Sequence, residues 1–393
     1  MTAGTTSPVT AGHIAILIQD LEEGGAQRQM VTLANGFVRL GRRVDVILAE
    51  AGGDELIGEL SPAIRLFTLG GRRRPDRRKT IGVLATYLAM EKPDVLLPGA
   101  AAIHPLAVAA QAPFPDVALL LCASSHPRRP ILWTRPRQYL NELVGRRRRA
   151  RCYARADAIV AVSEAVAAAV RRLAPDVAVR VIHNPVITAS FRAGATRPIA
   201  LPWDSSPDTP LILSVGRVHP AKDFPTLVRA FALLRQSRPA RLVIIGDGFA
   251  GRGGKEIRAL IDRLGIAGDV AMLGPTNAIA AWLCRSDLFV SSSIWEGSPS
   301  VVIEAMAMGC QVVATDCPGG SRELLQDGRI GGLVPIRNPA ALAGAIAAGL
   351  DHPTHPETLS AASDPYREAG RAEEYLAALD ACVQTVADRT QRK

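Results

Sequence analysis

Residues 210–248 read PLILSVGRVHPAKDFPTLVRAFALLRQSRPARLVIIGDG. Two continuous apolar runs, PLILSVGRV and ARLVIIGDG, flank KDFPTLVRAFALLRQ, whose apolar residues recur with helical periodicity. Strands that are apolar along their whole length are buried on both faces, and strand, helix, strand in series builds a parallel sheet. The alternation continues through EIRALIDRLGI, DVAMLG, NAIAAWLCRS, DLFVSSS, QVVATD and GLVP. It predicts a doubly wound α/β domain.

The same alternation opens the chain. HIAILIQD reads as a buried strand, LEEGGAQRQ as a glycine-bearing loop, QMVTLANGFVRL as a helix and GRRVDVILAE as a second strand. AIRLFTL, PDVLLP, DVALLLCAS, ADAIVAVS and VRVIHNPV follow as further strands. ASFRAGATRPIALPWDSSPDTP, rich in Pro, Ala and Ser and without periodicity, reads as the linker between the two arrays. The expected architecture is two doubly wound, Rossmann-like domains facing across a cleft. Residues 1–190 form the first and 191–365 the second, and a helix over 366–393 packs back toward the first. The carboxyl ends of both sheets, with free backbone N–H groups at helix starts, suit an anionic, nucleotide-like ligand.

Composition narrows the classes. A chain of 393 residues that is 48% hydrophobic holds two full cores. The run 95–115 lacks Asp, Glu, Lys and Arg, but Pro98, Pro105, Pro113 and Pro115 interrupt it. It reads as a strand end, a loop and a short helix, not a membrane span. The amino terminus has no basic segment of the kind that opens a secretory signal, so a cytoplasmic location is expected. Six cysteines without a C-x-x-C pair argue against a zinc or redox motif. Residues 1–194 carry 26 Lys and Arg against 16 Asp and Glu, while 195–393 carry 20 against 21, so the basicity belongs to the first half. Its runs RRRPDRRK (72–79) and RRRRARCYAR (146–155) suit either a solvated face or an anionic membrane surface, with RQYLNELVGRRRRARCY mixing apolar and basic residues as an interfacial helix does. Only 4% of residues are aromatic and no stacking motif is present, which argues against nucleic acid.

The chemistry gathers in EGSPSVVIEAMAMG, residues 296–309. Ser298 reads as an N-cap and Pro299 as the first helical residue, which leaves Glu296 in the loop and Glu304 in the second turn. Two helical residues eight apart are offset by about 80°. A loop residue escapes that geometry, so both carboxylates can face one ligand. Carboxylates accept from sugar hydroxyls, and the amides of Gly297, Ser298 and Ser300 donate to sugar or phosphate oxygens. The plainer reading is an exposed loop acid, with Glu304 balancing a helix start. Arg217 and Lys222 lie in the turn before a helix, where cations are unfavourable unless an anion sits there.

This stretch resembles the E-x7-E motif of retaining glycosyltransferases of GT-B fold, family 4 (glycosyl transferases group 1). SVGRVHPAKDFPTLVRAF, LVIIGDG, LGPT, DLFVSSSIWEGSPSVVIEAMAMGCQVVATDCPGG and GLVP occur in that family's order, and GGAQRQ, VSEAV and VIHNPV resemble it more weakly. The resemblance implies an enzyme that moves a sugar from a UDP- or GDP-sugar to a glycolipid, lipid-linked or polysaccharide acceptor, with retention. It places the donor ribose on Glu304, and the transferred sugar on Glu296 and the Gly297, Ser298 and Pro299 loop. Arg217 and Lys222 hold the diphosphate, and Gly25 brings a backbone amide to it. Gly274 and Pro275 take part in main-chain contacts to the base. His126, at the end of DVALLLCASSH, matches a family histidine that touches the sugar; His104, in a presumed helix, reads as structural.

No cofactor is expected, and no Asp-x-Asp motif is placed to hold a metal on the diphosphate, so metal independence is expected. The implied setting is cell-surface polysaccharide, glycolipid or lipopolysaccharide synthesis in the cytoplasm, peripheral on the inner face of the plasma membrane. A non-hydrolysing nucleotide-sugar epimerase and a catalytically silent sugar-nucleotide or polyanion binder share the architecture.

Overall fold

The computed structural model describes residues 9–392 except 23, 54, 72–75, 128–135 and 204–208, and the side chains of 136–141 and 143 are likewise left aside. Part of the first basic run, residues 72–75, lies outside the described residues. The chain divides into two compact units, Met1–Pro185 with Glu368–Lys393, and Val186–Arg367. Each is a parallel sheet clothed by helices.

In the first unit the strands are β1 (His13–Ile18), β2 (Arg43–Leu48), β3 (Arg65–Thr68), β4 (Val95–Pro98), β5 (Ala118–Ala123), β6 (Ala158–Ala161) and β7 (Ala178–Val181), in the order β3-β2-β1-β4-β5-β6-β7. In the second they are β8 (Leu211–Val215), β9 (Arg241–Ile245), β10 (Val270–Leu273), β11 (Leu288–Ser291), β12 (Gln311–Thr315) and β13 (Gly332–Val334), in the order β10-β9-β8-β11-β12-β13. Every pairing is parallel. Both orders reverse once, at β1/β4 and at β8/β11, as a doubly wound fold requires. The central strands β1, β4 and β5 are buried at every residue, which is why they read as unbroken apolar runs.

Boundaries depart from the expectations in two places, the helix after β1 and the stretch taken as a linker. The helix after β1 starts at Gly25, not at Gln29, so half of the presumed glycine loop is its first turn. The run 95–115 resolves, as expected, into β4, a loop and the helix His104–Gln111, and no helix among the described residues is long and apolar enough to cross a membrane. The stretch taken as a linker is not one. It begins with the helix Ala189–Ala193, and Phe191, Ile199, Leu201 and Trp203 pack on the second core. Trp203 Nε1 donates to the Gly268 carbonyl at 2.8 Å, with the Arg241 guanidinium over its ring. Four apolar residues scattered among Pro and Ser show no period, so their burial was hidden.

The closing helix Arg371–Gln391 completes the first core: Tyr375, Leu379, Cys382 and Val386 are buried in it. A Cβ on Gly36 would stand 2.6 Å from the Ala372 Cβ, so the two helices cross at nearly backbone contact. Arg389 reaches Asp157 at 2.8 Å and Arg42 reaches Asp380 at 3.1 Å. Burial of four such side chains contributes roughly 1.5–3 kcal/mol each for the large ones.

One charge lies inside the first sheet. Asp45 of β2 is wholly buried and accepts from His13 Nε2 at 2.8 Å, Tyr87 Oη at 2.6 Å and, in two places, Arg65 at 2.8 and 2.6 Å. Burial alone would raise its pKa, but the hydrogen bonds from His13, Arg65 and Tyr87 outweigh it and hold the carboxyl well below the usual range. The carboxylate thus ties β1, β2, β3 and the helix Arg77–Glu91 together. Because the folded pKa lies below the unfolded one, this contribution is full above the ordinary carboxylate value and is lost progressively as pH falls from there through the lower folded value. Asp45→Asn should therefore lose about 3–5 kcal/mol at neutral pH, since one partner of a buried charged set is removed. Urea midpoints at pH 7 check this, and a change below about 1 kcal/mol would contradict it.

Candidate active site

The strand order of the second unit reverses between β8 and β11, and at their carboxyl ends two loops part in opposite directions. The loop after β8 begins at Gly216. Gly246, after β9, comes so close that a Cβ there would stand 2.0 Å from the Gly216 carbonyl oxygen, so only glycine fits. The Val218 amide donates to the Asp247 carbonyl at 2.8 Å. Arg217 is exposed between these anchors, with no ion-pair partner among the described residues.

Lys222 is held by its main chain from both sides. Its amide donates to the His219 carbonyl at 2.9 Å, and its carbonyl accepts from Ser292 Oγ at 2.7 Å. The Ile294 amide, from the loop after β11, reaches the Ala221 carbonyl at 2.7 Å. Asp223 follows in the left-handed region at φ 44 and caps the helix Phe224–Arg235, accepting from Thr226 Oγ1 at 2.7 Å. Burial raises the pKa of Asp223.

Lys222 Nζ is 2.6 Å from Glu296 Oε1, and Ser293 Oγ donates to that same oxygen at 2.7 Å. The pair is partly sheltered, with side chains 28% and 14% exposed. Glu296 Oε2 has no partner among the described residues. A third loop, after β12, fixes the main chain of Glu296: its amide donates to the Pro318 carbonyl, and the Gly320 amide to the Gly297 carbonyl, both at 2.9 Å. Gly319, at φ +140, would put a Cβ 2.5 Å from the Glu296 carbonyl oxygen, so it too must be glycine. Three loops therefore deliver one ammonium and one half-satisfied carboxylate to the strand crossover. Among the described residues, no three His, Cys, Asp or Glu side chains gather as metal ligands would.

The helix after Glu296 is Ser300–Ala307, and its N-cap is Pro299 without a side-chain hydrogen bond. Ser298 is therefore not the N-cap. The Gly320 anchor on Gly297 keeps the chain extended, a residue before proline avoids helical dihedrals, and Pro299 stays extended at ψ 91. Glu304 is half-buried in the second turn. Gly274 and Pro275 are exposed just past β10. All these groups lie on one edge of the second sheet. Gly25 and His126 belong to the first unit. Gly25 is the exposed first residue of the helix Gly25–Arg39, whose N-cap Gly24 has no side chain to occupy the free amides. His126 lies three residues past β5 and is half-buried.

Sequence reasoning missed Ser292, Ser293 and the Trp295 ring, which meets His219 edge-on at 5.9 Å. Three serines ending an apolar strand were the available signal.

Two Rossmann-like domains with this loop-borne set define the class of GT-B glycosyltransferases. The model of "Glycosyltransferase Family 4" matches residues 23–190, and that of "Glycosyl transferases group 1" matches residues 209–352. The chain belongs to this family. It is 38% identical over 127 residues to the N-acetylgalactosamine-N,N'-diacetylbacillosaminyl-diphospho-undecaprenol 4-alpha-N-acetylgalactosaminyltransferase of Campylobacter jejuni, covering 32% of this chain and 33% of that protein. It is 34% identical over 221 residues to the D-inositol 3-phosphate glycosyltransferase of Streptomyces scabiei, covering 51% and 49%. The chain thus spans a third to a half of these relatives' length. The Anabaena HepE protein, solved with UDP and glucose, shares the fold with a TM-score of 0.68 at 20% identity, over 97% of this chain and 100% of that one.

His104, by contrast with His126, is structural in its surroundings. It is buried, Nε2 donates to the Cys122 carbonyl at 3.1 Å, and the ring meets Tyr153 edge-on. Burial lowers its pKa to about 4, against smaller opposing hydrogen bonds to Cys122 and Pro98. The unfolded chain then binds the extra proton between about pH 6.5 and 4, so stability falls as pH drops through that window. The loss is on the order of 3 kcal/mol. His104→Gln should flatten that fall in urea unfolding at pH 7 and 4.5, and an unchanged slope would contradict the assignment.

Proposed function

We propose that the protein transfers a sugar, with retention, from a nucleotide-diphosphate sugar to a lipid-linked or polysaccharide acceptor, without a metal. The observation that carries this is the Lys222–Glu296 pair at the β8/β11 crossover, 2.6 Å apart, with one carboxylate oxygen open. Such an edge of an α/β sheet is where nucleotides bind. In the reaction the bond from the anomeric carbon to the β-phosphate oxygen breaks, and its electron pair goes to that oxygen. Arg217 and Lys222 stabilise the growing charge more in the transition state than in the ground state. The acceptor hydroxyl forms its new bond on the same face, and its proton passes to the departing phosphate oxygen, so no covalent nucleophile is required. Glu296, with the Gly297, Ser298 and Pro299 loop, holds the transferred sugar. Glu304 holds the ribose, and Gly274 and Pro275 border the base.

Within the first unit, the open amides at Gly25 suit a diphosphate and His126 suits a sugar hydroxyl. UDP in the Anabaena structure supports a uridine donor. A diphospho-undecaprenol name in one relative and an inositol phosphate name in another support acceptors that carry phosphate.

Lys222→Ala and Arg217→Ala should each lower turnover about 100- to 1,000-fold, the scale for removal of one group aimed at developing charge. Radiolabelled nucleotide sugars measure it, circular dichroism confirms the fold, and near-normal turnover would refute the diphosphate role. Interconversion of free nucleotide sugars would instead indicate the epimerase. Activity should also persist in excess EDTA; its loss would mean that a metal takes part.

A further inference from the structure

The basic runs of the first unit take no part in the site described above. Arg77, Arg78 and Lys79 open the helix Arg77–Glu91, and Arg146, Arg147 and Arg148 lie in the helix Pro136–Tyr153. All six are exposed, and none makes an ion pair among the described residues. Arg149, by contrast, turns inward to Glu142.

Topology brings the two runs together. The connections from β3 to β4, β4 to β5 and β5 to β6 all advance across the sheet in one direction, so right-handed crossovers put their helices on one face. The helix His104–Gln111 packs against both basic helices, and His104 lies 6.0 Å from Tyr153 at the end of the second. The Arg77 guanidinium is near enough to act on the Cys152 thiol, lowering a pKa that burial raises. Runs separated by some 70 residues thus share one surface.

Three cations in the first turn of a helix oppose its dipole, and the one carboxylate at that end, the N-cap Asp76 that accepts from the Arg78 amide at 2.9 Å, leaves a net positive charge there. Such an arrangement is unfavourable in water and favourable against a negative surface. Apolar side chains are interleaved: Val144 is 48% exposed on the helical face it shares with Arg147 and Arg148, and Val83 is 46% exposed on the other helix. Cations that bracket exposed aliphatic groups match a bilayer, where head groups meet the charge and the interface takes the apolar tips. A polyanion in solution offers only the first.

We propose that the surface formed by Arg77, Arg78, Lys79, Arg146, Arg147 and Arg148 docks the first unit onto a bilayer rich in anionic lipid. The inference goes beyond the transfer reaction and does not rest on it. Each basic side chain near such a surface multiplies the partition by about fivefold, so three together contribute on the order of 100-fold.

The test is flotation of the full chain with vesicles of phosphatidylcholine alone or with 30% phosphatidylglycerol, a composition chosen for the experiment. Binding should need the anionic lipid and weaken from about 0.05 to 0.5 M salt. Replacing either triplet by Gln should lower binding on the order of 100-fold, and replacing it by Lys or Arg should preserve it. Val144→Asp should also weaken binding, though all charges of the six remain. Equal flotation with both vesicle types, or loss from one triplet only, would overturn the proposal. So would a Val144→Asp variant that binds normally, because charge alone then suffices, as it would for heparin or polyphosphate. Turnover of labelled nucleotide sugar by the triplet variants in lipid-free buffer separates this outcome from failure of the transfer reading.

Discussion

A parallel sheet whose strand order reverses has one place where neighbouring strands send their chains apart. In the second unit that place is the β8/β11 boundary, and the loops leaving it carry Lys222 and Glu296, which are 74 residues apart in sequence. Their meeting depends on hydrogen bonds of main chain more than on the ion pair. The Ile294 amide holds the Ala221 carbonyl, and Ser292 holds the Lys222 carbonyl, so the loops are stitched before the side chains touch. An ion pair that stays partly open to solvent contributes little to stability by itself. Here the stitched backbone fixes the pair, and the freedom the two side chains lose has largely been given up already.

The two glycines obey the same constraint. At Gly246 and Gly319 the approaching atom is a carbonyl oxygen of the loop that bears a site residue, Gly216 in one case and Glu296 in the other. A methyl group at either would displace a loop, not merely a side chain. Backbone closeness thus sets the position of charge. The first unit uses charge the opposite way: Asp45, with four donors, fixes three strands and a helix and has no open oxygen for a ligand.

Much of this was legible in residues. Among the described residues the central strands were visible because strands buried on both faces are apolar throughout, and the E-x7-E spacing marked the loop that matters. What stayed hidden has physical reasons. The Lys222–Glu296 contact is a long-range fact, fixed by strand order that periodicity does not encode. Ser298 looked like a cap because serine before proline usually is one, but the Gly320 anchor delays the helix to Ser300. The stretch after Thr188 looked like a linker because its buried residues follow no period. The serines after β11 were passed over because hydroxyls at a strand end resemble any turn, and only their partners, the Lys222 carbonyl and Glu296 Oε1, show what they fix.

On the proposed reading, a carboxylate beside the phosphate-binding lysine has a further consequence. A bare diphosphate approaching Lys222 gains an ammonium but meets the negative charge of Glu296 at nearly the same distance, so its net attraction is reduced. A sugar diphosphate gains the ammonium through its phosphate and also donates hydroxyls to Glu296 Oε2. The carboxylate that repels one ligand binds the other. Discrimination then comes from a repulsive element as well as an attractive one. Of the three donors on the ammonium, one is spent on Oε1, which leaves two for phosphate oxygens. As the glycosyl bond breaks, charge accumulates on the oxygen nearest those two donors, and no reorganisation of the loops is needed because the backbone hydrogen bonds have already set their positions.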